Sequence, residues 1–131
     1  MFRDEIRWSV RSYELDFYQH VNHAVYASWM EEARNRYLTA RGRSYADYPE
    51  SLGLWIVVVS SHLEYRASAV AGDEIRIRTH IERVGRTSVT FLHEVDRLPE
   101  EKRLVDGRVV MVFKGRDGRA AAVPAELRSE D

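Results

Sequence analysis

No cysteine occurs anywhere in the 131 residues, which removes disulfides, a thiol nucleophile and thiolate metal sites together. Net charge is also missing: 20 Lys and Arg balance 21 Asp and Glu to a formal −1, so there is no bulk electrostatic case for a nucleic-acid partner. No apolar run approaches the roughly 18 residues of a membrane span. The longest, LWIVVV at residues 54–59, has the length of a core strand. The opening MFRDEIRWSV carries charges where a signal peptide is apolar, and with the missing cysteines this gives the expectation of a cytoplasmic protein. There is no glycine-rich phosphate loop, no dinucleotide fingerprint and no nucleophile elbow around Ser60, Ser61 and His62. His20 and His23 are three apart but lack further ligands at metal-binding spacing, since His62, His80 and His93 fall on separate strands; no metal is expected.

What is present is an ordinary globular balance, 44% hydrophobic and 31% charged, without repeats, low-complexity tracts or linkers. It fits one domain over residues 1–131. Ile6, Trp8 and Val10 alternate with polar residues, giving a strand over 6–15. From Asn22 the period changes. Tyr26, Trp29, Met30, Ala33 and Tyr37 make a helical stripe over 22–41, with Asn22 as N-cap and Gly42 as the stop. Residues 43–53 read as a loop punctuated by Pro49 and Gly53. Strands follow over 54–66, 75–81, 89–95 and 104–113, the last taken through Asp106-Gly107 with a glycine bulge, and a final helical turn at 124–128. One amphipathic helix and about five antiparallel strands have a simple solution, an α+β arrangement in which the sheet wraps the helix. Such a sheet leaves edges and apolar surface, so dimerisation through a sheet edge is expected.

The chemistry concentrates in YELDFYQHVNHAVYASWMEEAR, residues 13–34. A carboxylate, Asp16, precedes a helix N-terminus whose orphan N–H groups and positive dipole end can polarise a carbonyl. On residue type alone Asp16 is either a turn residue or an acid/base or nucleophilic group, and His23 either an exposed helix-start residue or one that orients Asp16 or substrate. Phe17, Tyr18, Tyr26 and Trp29 read mostly as core, with one or two shaping a pocket. Arg66, Arg83 and Arg86 are either strand-edge residues or a phosphate rim.

This stretch, followed by IVVVSSHLEYRASAVAGDEIRI and RVGRTSVTF, resembles the hot-dog-fold acyl-CoA thioesterases of the 4-hydroxybenzoyl-CoA thioesterase superfamily over roughly residues 5–128. Within it the likeness is to the bacterial long-chain acyl-CoA thioesterase III type first and the Tol-Pal-associated short-chain type second. The resemblance implies a hot-dog fold, a long central helix wrapped by a five-stranded antiparallel sheet, with active sites at the interface of a homodimer or a dimer of dimers. It implies Asp16 as the catalytic aspartate, as general base or nucleophile, with Asn22 and His23 as positioning partners and the N–H groups around His23–Val25 polarising the thioester carbonyl. Departures exist: the position of His23 is commonly Asn in the long-chain type, and Ser12 stands where the short-chain type has tyrosine. Tyr26, Trp29 and Val58 would then shape the acyl pocket, and Arg66 and Arg86 meet the coenzyme A phosphates. Coenzyme A would be part of the substrate, with no separate cofactor. An acyl-carrier-protein thioesterase and a non-catalytic acyl-CoA-binding module are the alternatives.

Overall fold

The structure is a computed structural model that describes residues 4–128. Its elements run β1 (Asp4–Ser9), a 3-10 turn (Ser12–Glu14), α1 (His23–Thr39), α2 (Asp47–Leu52), β2 (Trp55–Tyr65), β3 (Glu74–Val84), β4 (Ser88–Leu98), β5 (Lys102–Lys114) and α3 (Ala125–Arg128). The five strands form one antiparallel sheet in the order β1-β3-β4-β5-β2, wrapped on α1 as the patterning implied.

Helix α1 forms because an apolar stripe has a sheet to bury it. Tyr26, Trp29, Met30 and Ala33 close one core cluster with Ile75, Ile77, Val95 and Val105, and Tyr37 and Leu38 close a second with Ile81, Phe91, Met111 and Phe113. The Asn22 side chain caps the start by accepting from the Ala24 N–H at 2.9 Å. Gly42 follows the end at φ +113, a conformation that L side chains rarely adopt. The far end of α1 is tied to β1 by Arg41, whose two terminal nitrogens donate to Asp4 at 3.1 and 2.8 Å while its guanidinium lies 3.4 Å over the Tyr37 ring.

The sheet has two chemically distinct faces. The inner one carries Ile75, Ile77, Thr79 and Ile81, then Val89, Phe91, His93 and Val95, at period 2. The outer one carries an ion-pair lattice centred on Asp96, which is 1% exposed and accepts from Arg76 and Arg78 at 3.0 Å and Arg103 at 2.7 Å. Burial pushes the Asp96 carboxyl up, and the bonds from Arg103 and Arg76 outweigh that and hold it below the usual range.

Four expectations are corrected. The first strand ends at Ser9 rather than near residue 15, because the Glu14 carboxylate accepts from the Arg11 N–H at 2.8 Å and turns the chain. Residues 47–52 are a helix, not loop: Pro49 falls in its first turn, where its missing N–H costs no bond, and Gly53 closes it at φ +63. Gly107 is not bulged; it pairs in register with His93 and Leu63. The reason for glycine is instead closeness, since a Cβ there would lie 2.6 Å from Met30 Sδ of α1. Finally, the 54–59 run is not interior. It opens β2, an edge strand on which Trp55, Val57, Val58 and Val59 are 39–55% exposed.

Candidate active site

The segment between β1 and α1 is a closed loop. An isolated bridge pairs Leu15 with Val21, the Asp16 N–H donates to His20 O at 2.7 Å, and the Asn22 N–H donates to Glu14 O at 2.9 Å. Asp16 therefore sits one residue beyond the closing bridge, beside the start of α1. Its Oδ1 accepts from the backbone N–H groups of Tyr18 at 2.9 Å and His20 at 3.2 Å, and Gln19 takes φ +65 to complete the turn. This is the turn role that residue type allowed, and it fixes the carboxylate. Of the aromatic residues expected in the core, Phe17 and Tyr18 are not there: at 100% and 82% exposed they ride the tip of this loop.

Glu14 holds the loop from beneath. It is buried, and its Oε2 accepts from Trp29 Nε1 at 2.7 Å and from Arg11 Nη1 at 3.2 Å. At the helix start, Asn22 occupies two first-turn donors, its Oδ1 taking the Ala24 N–H and its backbone O the Val25 N–H at 2.9 Å. The His23 N–H has no acceptor among the described residues and lies at the positive end of α1. The His23 ring stacks on Tyr65 of β2 with centroids 4.6 Å apart, and the Tyr65 hydroxyl donates to His23 O at 3.4 Å. Tyr65 was not singled out from the sequence, and only its place at the end of a strand carrying an exposed apolar run could have signalled it.

Tyr26 and Trp29 lie in the core, 2% and 4% exposed, in edge-to-face contact at 5.1 Å. The Tyr26 hydroxyl accepts from the Ala69 N–H at 3.3 Å, and burial pushes it up so that it stays protonated. The open space lies instead between α1 and β2. A cleft of about 230 Å³ is lined by Ala27, Ser28, Met30, Glu31 and Arg34 of α1, by Val58, Ser61 and Leu63 of β2, and by Val109 of β5. Ala27 and Ser28 follow Ala24 at helical spacing on the exposed side of α1, so the cleft opens about one turn into the helix. Val58 is thus on a cavity wall. A second cavity of about 230 Å³ lies among side chains of β2, β4 and β5 that are already paired, Arg66 with Glu64 and Asp106, and Arg108 with Glu82.

The arginines separate. Arg66 follows Tyr65 at the end of β2 that meets the start of α1. Arg86 stands in the β3–β4 turn, beside Val123 and Arg128, whose N–H groups donate to its carbonyl. That is the end of the sheet near the α1 C-terminus, so within one protomer Arg86 is removed from the Asp16 loop by the length of a strand, about 35 Å. Among the described residues no group of three or more His, Asp and Glu side chains is placed to hold a metal ion, and no helix is long and apolar enough to cross a membrane.

The long-chain acyl-CoA thioesterase FadM of Escherichia coli (strain K12) is 30% identical over 122 residues, covering 92% of this chain and 91% of that one. A chloroplast acyl-acyl carrier protein thioesterase of Arabidopsis thaliana, ATL3, is 24% identical over 96% of this chain, which spans 66% of that protein's length. A thioesterase from Thermus thermophilus, solved with coenzyme A and zinc, superposes with a TM-score of 0.84 at 30% identity, covering 99% of this chain and 98% of that one. The superfamily described as thioesterase-like matches residues 10–130, so that the chain belongs to the thioesterase-like superfamily.

Proposed function

We propose that the protein hydrolyses acyl-CoA thioesters at the start of α1. The acyl carbonyl lies against the His23 N–H and the positive helix end, which stabilise the negative charge that develops on its oxygen. Asp16 takes a proton from water while the water oxygen bonds to the carbonyl carbon. The carbon–sulfur bond then breaks, the sulfur leaves as thiolate and takes up the proton, and the free acid remains. Direct attack by the Asp16 carboxylate, with water opening the resulting anhydride, gives the same products. Asn22 fixes the first turn, and His23, held flat on Tyr65, walls the site. The acyl chain runs into the α1–β2 cleft past Val58, and Arg66, released from Glu64 and Asp106, would meet the coenzyme A phosphates. An Arg86 contact would come from a second protomer.

The observation that carries this reading is a carboxylate pinned by two backbone N–H groups in the loop that leads into α1, whose first N–H has no acceptor among the described residues. The test is release of free thiol from a panel of acyl-CoAs by wild type and Asp16→Asn. Loss of at least about 10²-fold in kcat, with an unchanged melting curve, is expected; wild-type turnover by the variant would overturn the mechanism. The likeness to a carrier-protein thioesterase favours a second reading, with an acyl-carrier protein as the thiol partner, and hydrolysis of acyl-carrier protein but not acyl-CoA would select it.

We further propose that the protein acts as a homodimer joined at β2. That strand offers a row of unpaired backbone groups and exposed Trp55, Val57, Val58 and Val59 on a sheet edge beside the cleft.

A further inference from the structure

Arg34 lies in α1 beside the apolar stripe, is 5% exposed, and lines the α1–β2 cleft. Its Nε donates to the Tyr45 hydroxyl at 3.1 Å and its Nη1 to His93 Nε2 at 3.2 Å. A guanidinium only donates, so His93 Nε2 is the acceptor and the imidazole proton sits on Nδ1, 2.9 Å from Thr79 Oγ1. The Tyr45 hydroxyl donates onward to Met111 Sδ at 3.2 Å. Every partner of this buried cation is therefore neutral. Among the described residues no carboxylate oxygen comes within the 4.0 Å of an ion pair, and Nη2 has no acceptor. Glu31, one turn earlier, is exposed at the rim of the cleft. Arg76, buried to a similar degree, shows the ordinary arrangement, with Asp96 at 3.0 Å and Glu101 at 2.9 Å.

A desolvated guanidinium served only by neutral groups leaves its charge for an anion to match. Beside Arg34 the cleft wall is mostly apolar, with Ala27, Met30, Val58, Leu63 and Val109, and its polar members are the hydroxyls of Ser28 and Ser61 and Glu31 at the rim. From Ala24 to Arg34 the helix rises about 15 Å, roughly the reach of an extended chain of a dozen carbons. We propose that the cleft selects acyl groups carrying a carboxylate at their far end, with Arg34 as the residue that determines this specificity. The proposal rests on the thioesterase reading above.

The experiment compares matched pairs of CoA esters of about ten to fourteen carbons, each a plain fatty acyl and its ω-carboxy counterpart. Thiol release is followed for wild type, Arg34→Met and Arg34→Lys, and affinity is measured by titration calorimetry on wild type and on Asp16→Asn. At one chain length or more, wild type should favour the ω-carboxy ester by about tenfold or better in kcat/KM, the scale of a charge-assisted hydrogen bond. Arg34→Met should lose that preference while keeping or gaining on the plain ester, and Arg34→Lys, which keeps the charge without the fork, should fall between. Equal or better use of the plain ester by wild type at every length would overturn the proposal, as it would if a carboxylate of a second copy already neutralised Arg34. An equal loss on both esters in Arg34→Met would also overturn it, leaving Arg34 a structural residue. Because the wild-type comparison needs no variant, a misfolded mutant leaves the test intact. No thiol release from either ester would sink the thioesterase reading alone, and tighter calorimetric binding of the ω-carboxy ester would still uphold Arg34.

Discussion

At the scale of single residues, the site is built from groups that residue type left open and local bonding decides. Asp16 fills the turn role, and the proposed mechanism gives it the catalytic one as well, with its carboxylate already held by the N–H groups of Tyr18 and His20. The same logic sets His93. Burial first, and then the charges of Arg34 and His80, hold its imidazole well below the ordinary range, so it is neutral in the folded protein. Below about pH 6.5 the unfolded chain binds a proton here that the folded chain does not, and stability falls as the pH drops; above that value neither state binds it and the contribution is flat. Between pH 7.5 and 5.5 this one group is expected to cost about 1.4 kcal/mol. Urea midpoints at the two pH values check it: the decline in wild type should shrink by about that amount in His93→Gln, whose amide still accepts from Arg34 and donates to Thr79. A variant that declines as steeply as wild type would assign the slope to other groups.

At the scale of elements, α1 and β5 approach each other because one strand residue has no side chain. Met30, fully buried, occupies the space that a Cβ on Gly107 would take. Gly107→Ala is expected to destabilise by about 1–3 kcal/mol, the usual cost of overpacking. In a Met30→Ala background the same substitution should cost far less, and a double-mutant cycle by chemical denaturation reads the coupling directly. If the two costs simply add, the glycine is there for its backbone and not for the helix.

At the scale of the molecule, the longest apolar run stands on the outside. Trp55, Val57, Val58 and Val59 on an edge strand are what a second sheet edge would cover. The proposed dimer predicts that Val57→Lys together with Val59→Lys yields a smaller particle by light scattering. It should lower turnover as well, since β2 also forms one wall of the cleft and carries the Tyr65 that packs His23. An unchanged particle mass in the variant would rule out β2 as the interface.

The order of the five strands and the long helix with its Asn22 cap were legible in the chain, because periodicity and capping are local and each stretch declares them unaided, and the resemblance of residues 13–34 pointed to the superfamily. Locality also explains the failures. Pro49 reads as a breaker until it is known to fall in a first turn, and Gly107 reads as a bulge until the helix above it is in place. Phe17 and Tyr18 read as core until the Leu15–Val21 bridge turns them outward. An apolar strand looks the same whether its own domain or another protomer will cover it, which is why residues 54–59 passed for interior. Arg34 gave no signal, sitting one position from Ala33 among charged neighbours. Whether such a residue faces water, a carboxylate or a buried imidazole depends on a strand 59 residues further along the chain. Burial and charge pairing are properties of that assembled arrangement, so only the tertiary structure decided them.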